Sequence, residues 1–432
     1  MAPTKSSNQR KKRSRTSTTT KDRDAAEPPR KRLRLSSSSV SVVDFLDPNK
    51  YPPIRDVLVG YLDVRSMTRL CATSRTLRHM ITSYDWDINR YLGQYFEYPE
   101  DFRTAQATAE ALIIGRSALN FIYKQAYATT LTIQCQLGTK FDDFLQHLMV
   151  AEGYKIDKDI LWHGTAEKPL SKTVQLKSGE RSVHLLGNST PVIPQATKFF
   201  RSSATASVIS WNGYYHIFPR TTFLAYETLP FRPLDKFVSR EHRFIECWHE
   251  AIPGKRSLWI PNHRRFGDHM SFKLQLDTTG VRGPLQPDRA LDLASFQTSL
   301  PGAIPRSWSS TTWNWEAWSL HRPLDFKMLM SPGLQYGYCL SPKLLLPDGR
   351  NLHRVLNELI YNRTVAQALI MDPEERQDVF GDSIPSVTAL ARIEFERPVW
   401  WLYYDDTVKE YIERAERFTA GSASRVTEVE TT

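Results

Sequence analysis

The clearest apolar rhythm in the chain lies in residues 47–92. Pro52 and Pro53 stand where a helix would open, and Ile54, Val57, Leu58, Tyr61 and Leu62 follow at spacings of three and four, one apolar stripe of a helix. Asp63 is placed to cap a second helix carrying Met67, Leu70 and Cys71, and Ser74 precedes a third carrying Leu77, Met80 and Ile81. Three such short helices make too small a core to stand alone, so the segment needs a partner or the rest of the chain.

Beyond residue 97 helical and extended periods alternate. Residues 105–112 have helical propensity, Ile113 and Ile114 lead into Gly115, and residues 117–126 predict an amphipathic helix. Leu131 and Ile133 alternate with Thr132 and Gln134 as a half-buried strand. Phe141, Phe144, Leu145, Leu148 and Met149 share a helical face, with Thr139 as cap and Gly153 as stop. A hairpin follows, with Val174 and Leu176 on one arm, a turn at Ser178 and Gly179, and Val183 and Leu185 on the other. Past the Pro- and Gly-rich stretch "GVRGPLQPD", Ile393 and Phe395 alternate like a strand, and Val408, Tyr411, Ile412 and Ala415 share one face of a final helix.

Composition adds a core and locates the charge. With 41% apolar and 11% aromatic residues, 432 residues can bury two or three domains. The net charge of +10 is uneven: residues 1–35 hold 12 Lys and Arg against 3 Asp and Glu, so the rest of the chain is close to neutral. Low hydrophobicity predicts disorder there. Lys11, Lys12, Arg13 and Arg15, then Arg30, Lys31, Arg32 and Arg34 across a Ser-, Thr- and Pro-containing spacer, resemble a bipartite nuclear localisation signal. The expected partner is a nuclear import receptor, and the expected location nuclear or shared between nucleus and cytoplasm. The alternative is a solvated basic tail with weak, non-specific affinity for nucleic acid. No run reaches the roughly 18–20 apolar residues of a membrane span, so no membrane partner is expected.

Other chemistry is sparse. Cys71, Cys135, Cys247 and Cys339 are far apart and predict reduced, buried thiols. His242, Cys247, His249, His263 and His269 are ligand types for zinc, but their spacing fits no familiar finger and Trp248, Trp259 and Phe266 between them favour packing. Arg264 and Arg265 read as a phosphate contact or a solvated loop. Trp308, Trp313, Trp315 and Trp318 read as a recognition surface or as core. The chain lacks a P-loop, a G-x-S-x-G elbow and H-E-x-x-H, and no cofactor or metal is implied.

Two resemblances organise these readings. Pro53, Ile54, Val57, Leu58, Leu62 and Asp63, then Leu70, Ser74, Arg75, Leu77, Ile81 and Trp86, resemble an F-box, although Tyr-Pro-Pro-Ile replaces the usual Leu-Pro-x-Glu opening. The resemblance implies a helix-in-groove contact with the Skp-type linker protein of a cullin ubiquitin ligase through Pro53, Ile54, Val57, Leu58, Leu62, Leu70, Leu77 and Ile81. The alternative is a helical cap on the next domain. Further on, "GRSALNFIYKQAYATTLTI", "VQLKSGERSVHLL", "VISWNGYYHIFPRTTF" and "LDKFVSREHRF" follow in the order seen in a group of fungal F-box-associated proteins whose body resembles a nucleotidyltransferase. Nucleotidyl transfer needs two carboxylates at i and i+2 on one strand face to hold Mg²⁺. Thr130 and Thr132 occupy those positions, Gly115 is kept, and Arg116 replaces a small hydroxyl residue. Adjacent Asp142 and Asp143 do not restore the pair.

The expected fold is α+β. It has a basic disordered tail (1–46), an F-box-like helical module (47–92), a degenerate nucleotidyltransferase-like α/β domain (93–285), an aromatic-rich C-terminal extension packed on it (286–418) and a disordered end (419–432). The expected function is that of a non-catalytic, ubiquitin-ligase adaptor, a pseudoenzyme body presenting a substrate. The alternatives are a transferase with displaced metal ligands, with an exposed carboxylate pair beside Gly115, or a nuclear nucleic-acid-associated protein acting through its tail.

Overall fold

The computed structural model describes residues 41–124, 130–162, 170–200, 202–225, 263–283, 289–298, 324–390, 393, 395 and 397–429. Residues 1–40 of the basic tail, the segment 234–244, His242, Cys247, His249 and the four tryptophans 308, 313, 315 and 318 lie outside these residues, whereas the end of the tail, expected to be disordered to residue 46, is helical over Val42–Leu46.

A short helix α1 (Val42–Leu46) precedes the expected module, and the apolar stripe after residue 47 does form helices: α2 (Pro52–Gly60), α3 (Val64–Thr73) and α4 (Arg75–Met80), the last continued by a π-helical turn, Ile81–Asp85. Both prolines sit in the first turn of α2, where no intrahelical N–H is lost. Asp63 caps α3 by accepting from Ser66 N at 2.7 Å, as its position implies. Two more helices, α5 (Ile88–Leu92) and α6 (Pro99–Thr108), lead into the body. The module does not stand alone: Val59, Val64, Met67, Cys71, Leu77 and Ile81 join one continuous core with residues beyond 86.

The body is built from β1 (Leu112–Ile114), α7 (Gly115–Tyr123), β2 (Thr130–Gln136), α8 (Thr139–Val150), β3 (Lys155–Trp162), β4 (Ser171–Ser178), β5 (Arg181–Asn188), α9 (Val192–Phe199), β6 (Ser207–Ile209) and β7 (Gly213–His216). After β8 (His263–Arg265), β9 (Phe272–Gln275) completes an eight-stranded sheet of order β3-β4-β5-β2-β1-β6-β7-β9. Only β2 and β5 run parallel; the other neighbours are antiparallel. Leu131, Ile133 and Cys135 turn one face of β2 toward Phe141, Phe144 and Leu148 of α8 in the first core. Leu112, Ile114 and Val208 turn the other way, into a second core with Val192 and Ala196 of α9.

That second core ties the C-terminal region to the body. It takes in α10 (Arg289–Leu293), β10 (Ser295–Thr298), β11 (Leu324–Asp325), β12 (Lys327–Leu329), β13 (Tyr338–Leu340) and α11 (Leu352–Ile370). After α12 (Pro373–Phe380) and α13 (Val387–Leu390), α14 (Asp405–Val429) adds the buried face Val408, Ile412 and Ala415, as its spacing predicts. The backbone of α14 carries on to Val429, into the segment expected to be disordered, which holds no proline to stop it. Ile393 and Phe395 are not in a strand, contrary to their alternation. They pack around Phe380 and Trp401, Phe395 meeting both rings edge-on at 5.5 and 5.3 Å.

A polar chain runs through the first core's far end. His216 is wholly buried; its Nδ1 and Ser207 Oγ share a 2.6 Å hydrogen bond, and Tyr214 donates to the same hydroxyl at 3.3 Å. Burial, helped by the nearby Arg264 charge, pushes this imidazole down to about 3, against a weaker opposing effect of the backbone at Phe218. The unfolded chain therefore binds a proton there that the folded chain refuses. Stability from this group is complete above pH 6.5 and falls by about 1.4 kcal/mol per pH unit below it. His216→Gln should flatten the acid limb of stability against pH relative to the parent; identical limbs in urea melts between pH 7 and 4 would refute this.

Candidate functional site

Helix α2 does not bury its apolar stripe. Arg55 and Val59 face inward, while Ile54, Val57 and Leu58 are 46%, 60% and 40% exposed and Tyr61 lies open at the helix end. Pro53 is exposed too, Leu62 and Leu70 are half-buried against the core, and Leu77 and Ile81 are inside it. Of the eight residues expected to touch a partner, Leu77 and Ile81 have no surface to offer, because α4 and the π-helical turn after it pack them into the core. The exposed set is continuous on one helix.

What turns α2 this way round is a buried ion pair. Arg55 Nη2 meets Asp85 Oδ2 at 2.5 Å, and Lys124 Nζ, from the end of α7, meets Asp85 Oδ1 at 2.9 Å. The guanidinium also lies over the Tyr84 ring. Beside it, Trp86 Nε1 donates to Ile122 O at 3.2 Å. Spacing alone did not reveal this set, since Arg55 falls where the stripe would be expected to be polar and solvated. Between α2, α3 and the end of α7 lies a cleft of about 580 Å³ bordered by Arg55, Val59, Met67, Tyr84, Tyr123 and Lys124.

The second region is the corner where β1 meets α7. Gly115 opens the helix at φ 63°, a left-handed conformation that disfavours side chains, and a Cβ there would meet nothing within 4 Å. Arg116 follows it, half-buried. Ser117, next in the helix, accepts from Thr132 N at 2.9 Å and donates to Thr130 O at 3.4 Å, tying α7 to β2. Thr130 and Thr132 share a face, as the i and i+2 spacing requires, and pair with Ser182 and His184 of β5. Thr130 Oγ1 bonds Ser182 Oγ at 3.3 Å. Burial lowers the His184 imidazole, which favours its neutral form. These groups can donate and accept hydrogen bonds, but none offers an anionic oxygen to a divalent cation. Asp142 and Asp143 are exposed on α8, whose buried face packs on the opposite side of the sheet. Among the described residues no three His, Cys, Asp or Glu gather closely enough to hold a metal ion.

The basic pair at 264 and 265 lies in strand β8 and not in a solvated loop. Arg264 is buried, donating from Nε to Asp268 Oδ2 at 2.7 Å and from Nη2 to Ile217 O at 2.6 Å. Arg265 Nε lies 3.4 Å from Glu416 of α14, and His263 Nε2 lies 3.8 Å from the same carboxylate. His269 is exposed. Cys71, Cys135 and Cys339 are buried free thiols, as expected. A smaller cleft of about 330 Å³, bordered by Glu110, Lys140, Val192, Tyr336 and Arg397, separates the body from the C-terminal region. No family model matches the chain, and a comparison with curated proteins found no match.

Proposed function

We propose that this protein is a non-catalytic adaptor that docks through α2 on the Skp-type linker protein of a cullin ubiquitin ligase and presents a protein substrate on its body. The observation that carries the reading is the outward stripe of Ile54, Val57 and Leu58 on a helix held from behind by Arg55. Apolar side chains at this spacing on an exposed helix are the requirement for a helix-in-groove contact. The nucleotidyltransferase likeness is supported by the order strand, glycine, helix and antiparallel strand, with β5, reached after α8, β3 and β4, pairing parallel to β2. With threonines where the metal-binding carboxylates would stand, that frame serves here as a scaffold. The basic tail serves nuclear import.

The test is binding of the full-length protein to purified linker protein, beside a Val57→Asp, Leu58→Asp variant. Both positions are exposed, so the variant should keep its melting behaviour to within about 0.5 kcal/mol. We expect binding to weaken about a hundredfold, as for loss of two central apolar anchors. A well-folded parent with no affinity for the linker would end the adaptor reading.

A further inference from the structure

Strand β3 closes the eight-stranded sheet on one side; it pairs with β4 and has no outer neighbour among the described residues. Residues 155–161 are all exposed, so the outer backbone edge is open to an added strand. The ladder decides which side chains share a face. Lys155 stands beside Lys177, Lys158 beside Gln175 and Ile160 beside Thr173, with a bulge between Ile156 and Lys158. These rows continue through Ser182 and His184 to Thr130 and Thr132. The bulge residue Asp157 lies 3.0 Å from Lys177, while Lys155 and Lys158 have no ion-pair partner among the described residues. On the other side of β3, Ile156 and Leu161 are 43% and 50% exposed, and Asp159 is held 3.3 Å from Lys172.

The geometry points to the outer edge of β3 as the site where a substrate segment adds as an extended strand alternating acidic and apolar residues. Its acidic side chains would lie over Lys155 and Lys158, and its apolar ones beside Ile156 and Leu161, since successive residues of a strand point to opposite faces. The rows through the lysines hold hydroxyl, amide, imidazole and aliphatic groups and no Phe, Tyr or Trp for bases to stack on. A peptide therefore fits better than single-stranded nucleic acid. That the bound segment is a substrate rests on the adaptor reading; the docking surface rests on the sheet.

The experiment is a fluorescence-anisotropy titration of the full-length protein with a labelled peptide of about eight alternating Glu and Val residues. The comparison probes are a Lys and Val peptide, the Glu and Val peptide with a central Pro, and a labelled oligothymidine. We expect the acidic peptide to bind, the Pro peptide to bind far more weakly because the added ladder is broken, and a Lys155→Glu, Lys158→Glu variant to lose about tenfold or more. The inference is overturned by no binding to the parent, by indifference to the charge reversal, or by equal or tighter binding of any comparison probe. A parent dimer that the reversal dissociates would make a second copy the occupant and also overturn it. Linker binding is measured on the same samples. Peptide failure with linker binding intact removes only the β3 site, and linker failure with peptide binding intact removes only the adaptor.

Discussion

Asp85→Ala should destabilise the protein by about 3–5 kcal/mol, because it leaves the buried Arg55 guanidinium without its counter-charge. The side chains of Asp85 and Arg55 are 6% and 8% exposed. Asp56, 3.2 Å from Arg55, is 74% exposed and too well solvated to take over. Lys124 would lose its partner at the same moment, at smaller cost, being 36% exposed. The penalty belongs to the orphaned cation more than to the pair. Replacing both ends, Asp85→Leu with Arg55→Met, should therefore recover most of the loss, since apolar pairs of similar volume often do as well as a buried ion pair. Urea unfolding of the parent, the two single variants and the double variant measures this directly. A single-variant loss below about 1 kcal/mol would mean that water already reaches Arg55 through the adjoining cleft.

Trp86→Ala should cost about as much, 3–5 kcal/mol, for a different reason. The indole is 2% exposed and meets the Phe272 ring edge-on at 5.8 Å, so it bridges the helical module to β9. Truncation opens a cavity at that junction and also removes the indole N–H that donates to the Ile122 carbonyl. Trp86→Phe keeps a ring but loses the N–H and some volume, and about 1–2 kcal/mol is expected. Thermal melts followed by limited proteolysis between residues 46 and 63 give the answer. If Trp86→Phe proves as damaging as Trp86→Ala, the hydrogen bond and not the packing holds the junction.

Elements with one buried face were legible. The hairpin of β4 and β5, α8 and α14 could be read because Val174 and Leu176, Phe141 and Phe144, and Val408 and Ile412 repeat at the right period and are buried. β3 was not, since "KIDKDIL" is exposed on both faces and has no reason to alternate. α11 escaped because Thr364 and Gln367 sit in its buried face beside Leu356 and Ile360, diluting the stripe. Asn351, which accepts from Arg354 N, was the available signal for its start. At the candidate sites, the residue types at Gly115, Thr130 and Thr132 could be read directly, because strand and helix spacing fixes which of them share a face. The orientation of α2 could not, for its apolar stripe would ordinarily face inward, and it is the distant Asp85 and Lys124 that turn it out.

The order in which the sheet is completed has a consequence during synthesis. β1, in the middle of the sheet, pairs with β2 on one side and β6 on the other, and β7 receives its outer neighbour only when residues 272–275 exist. At about 5–20 residues per second, roughly 8–30 s separate the emergence of the first and last strands from the ribosome. From the completion of β7 at His216 until Phe272 is made, about 3–11 s at the same rate, the edge of β7 is unpaired, and Trp86 lacks the ring it packs against. Nascent chains stalled before residue 272 should accordingly engage holding chaperones and aggregate when released, whereas chains stalled after residue 275 carry a closed β7 edge.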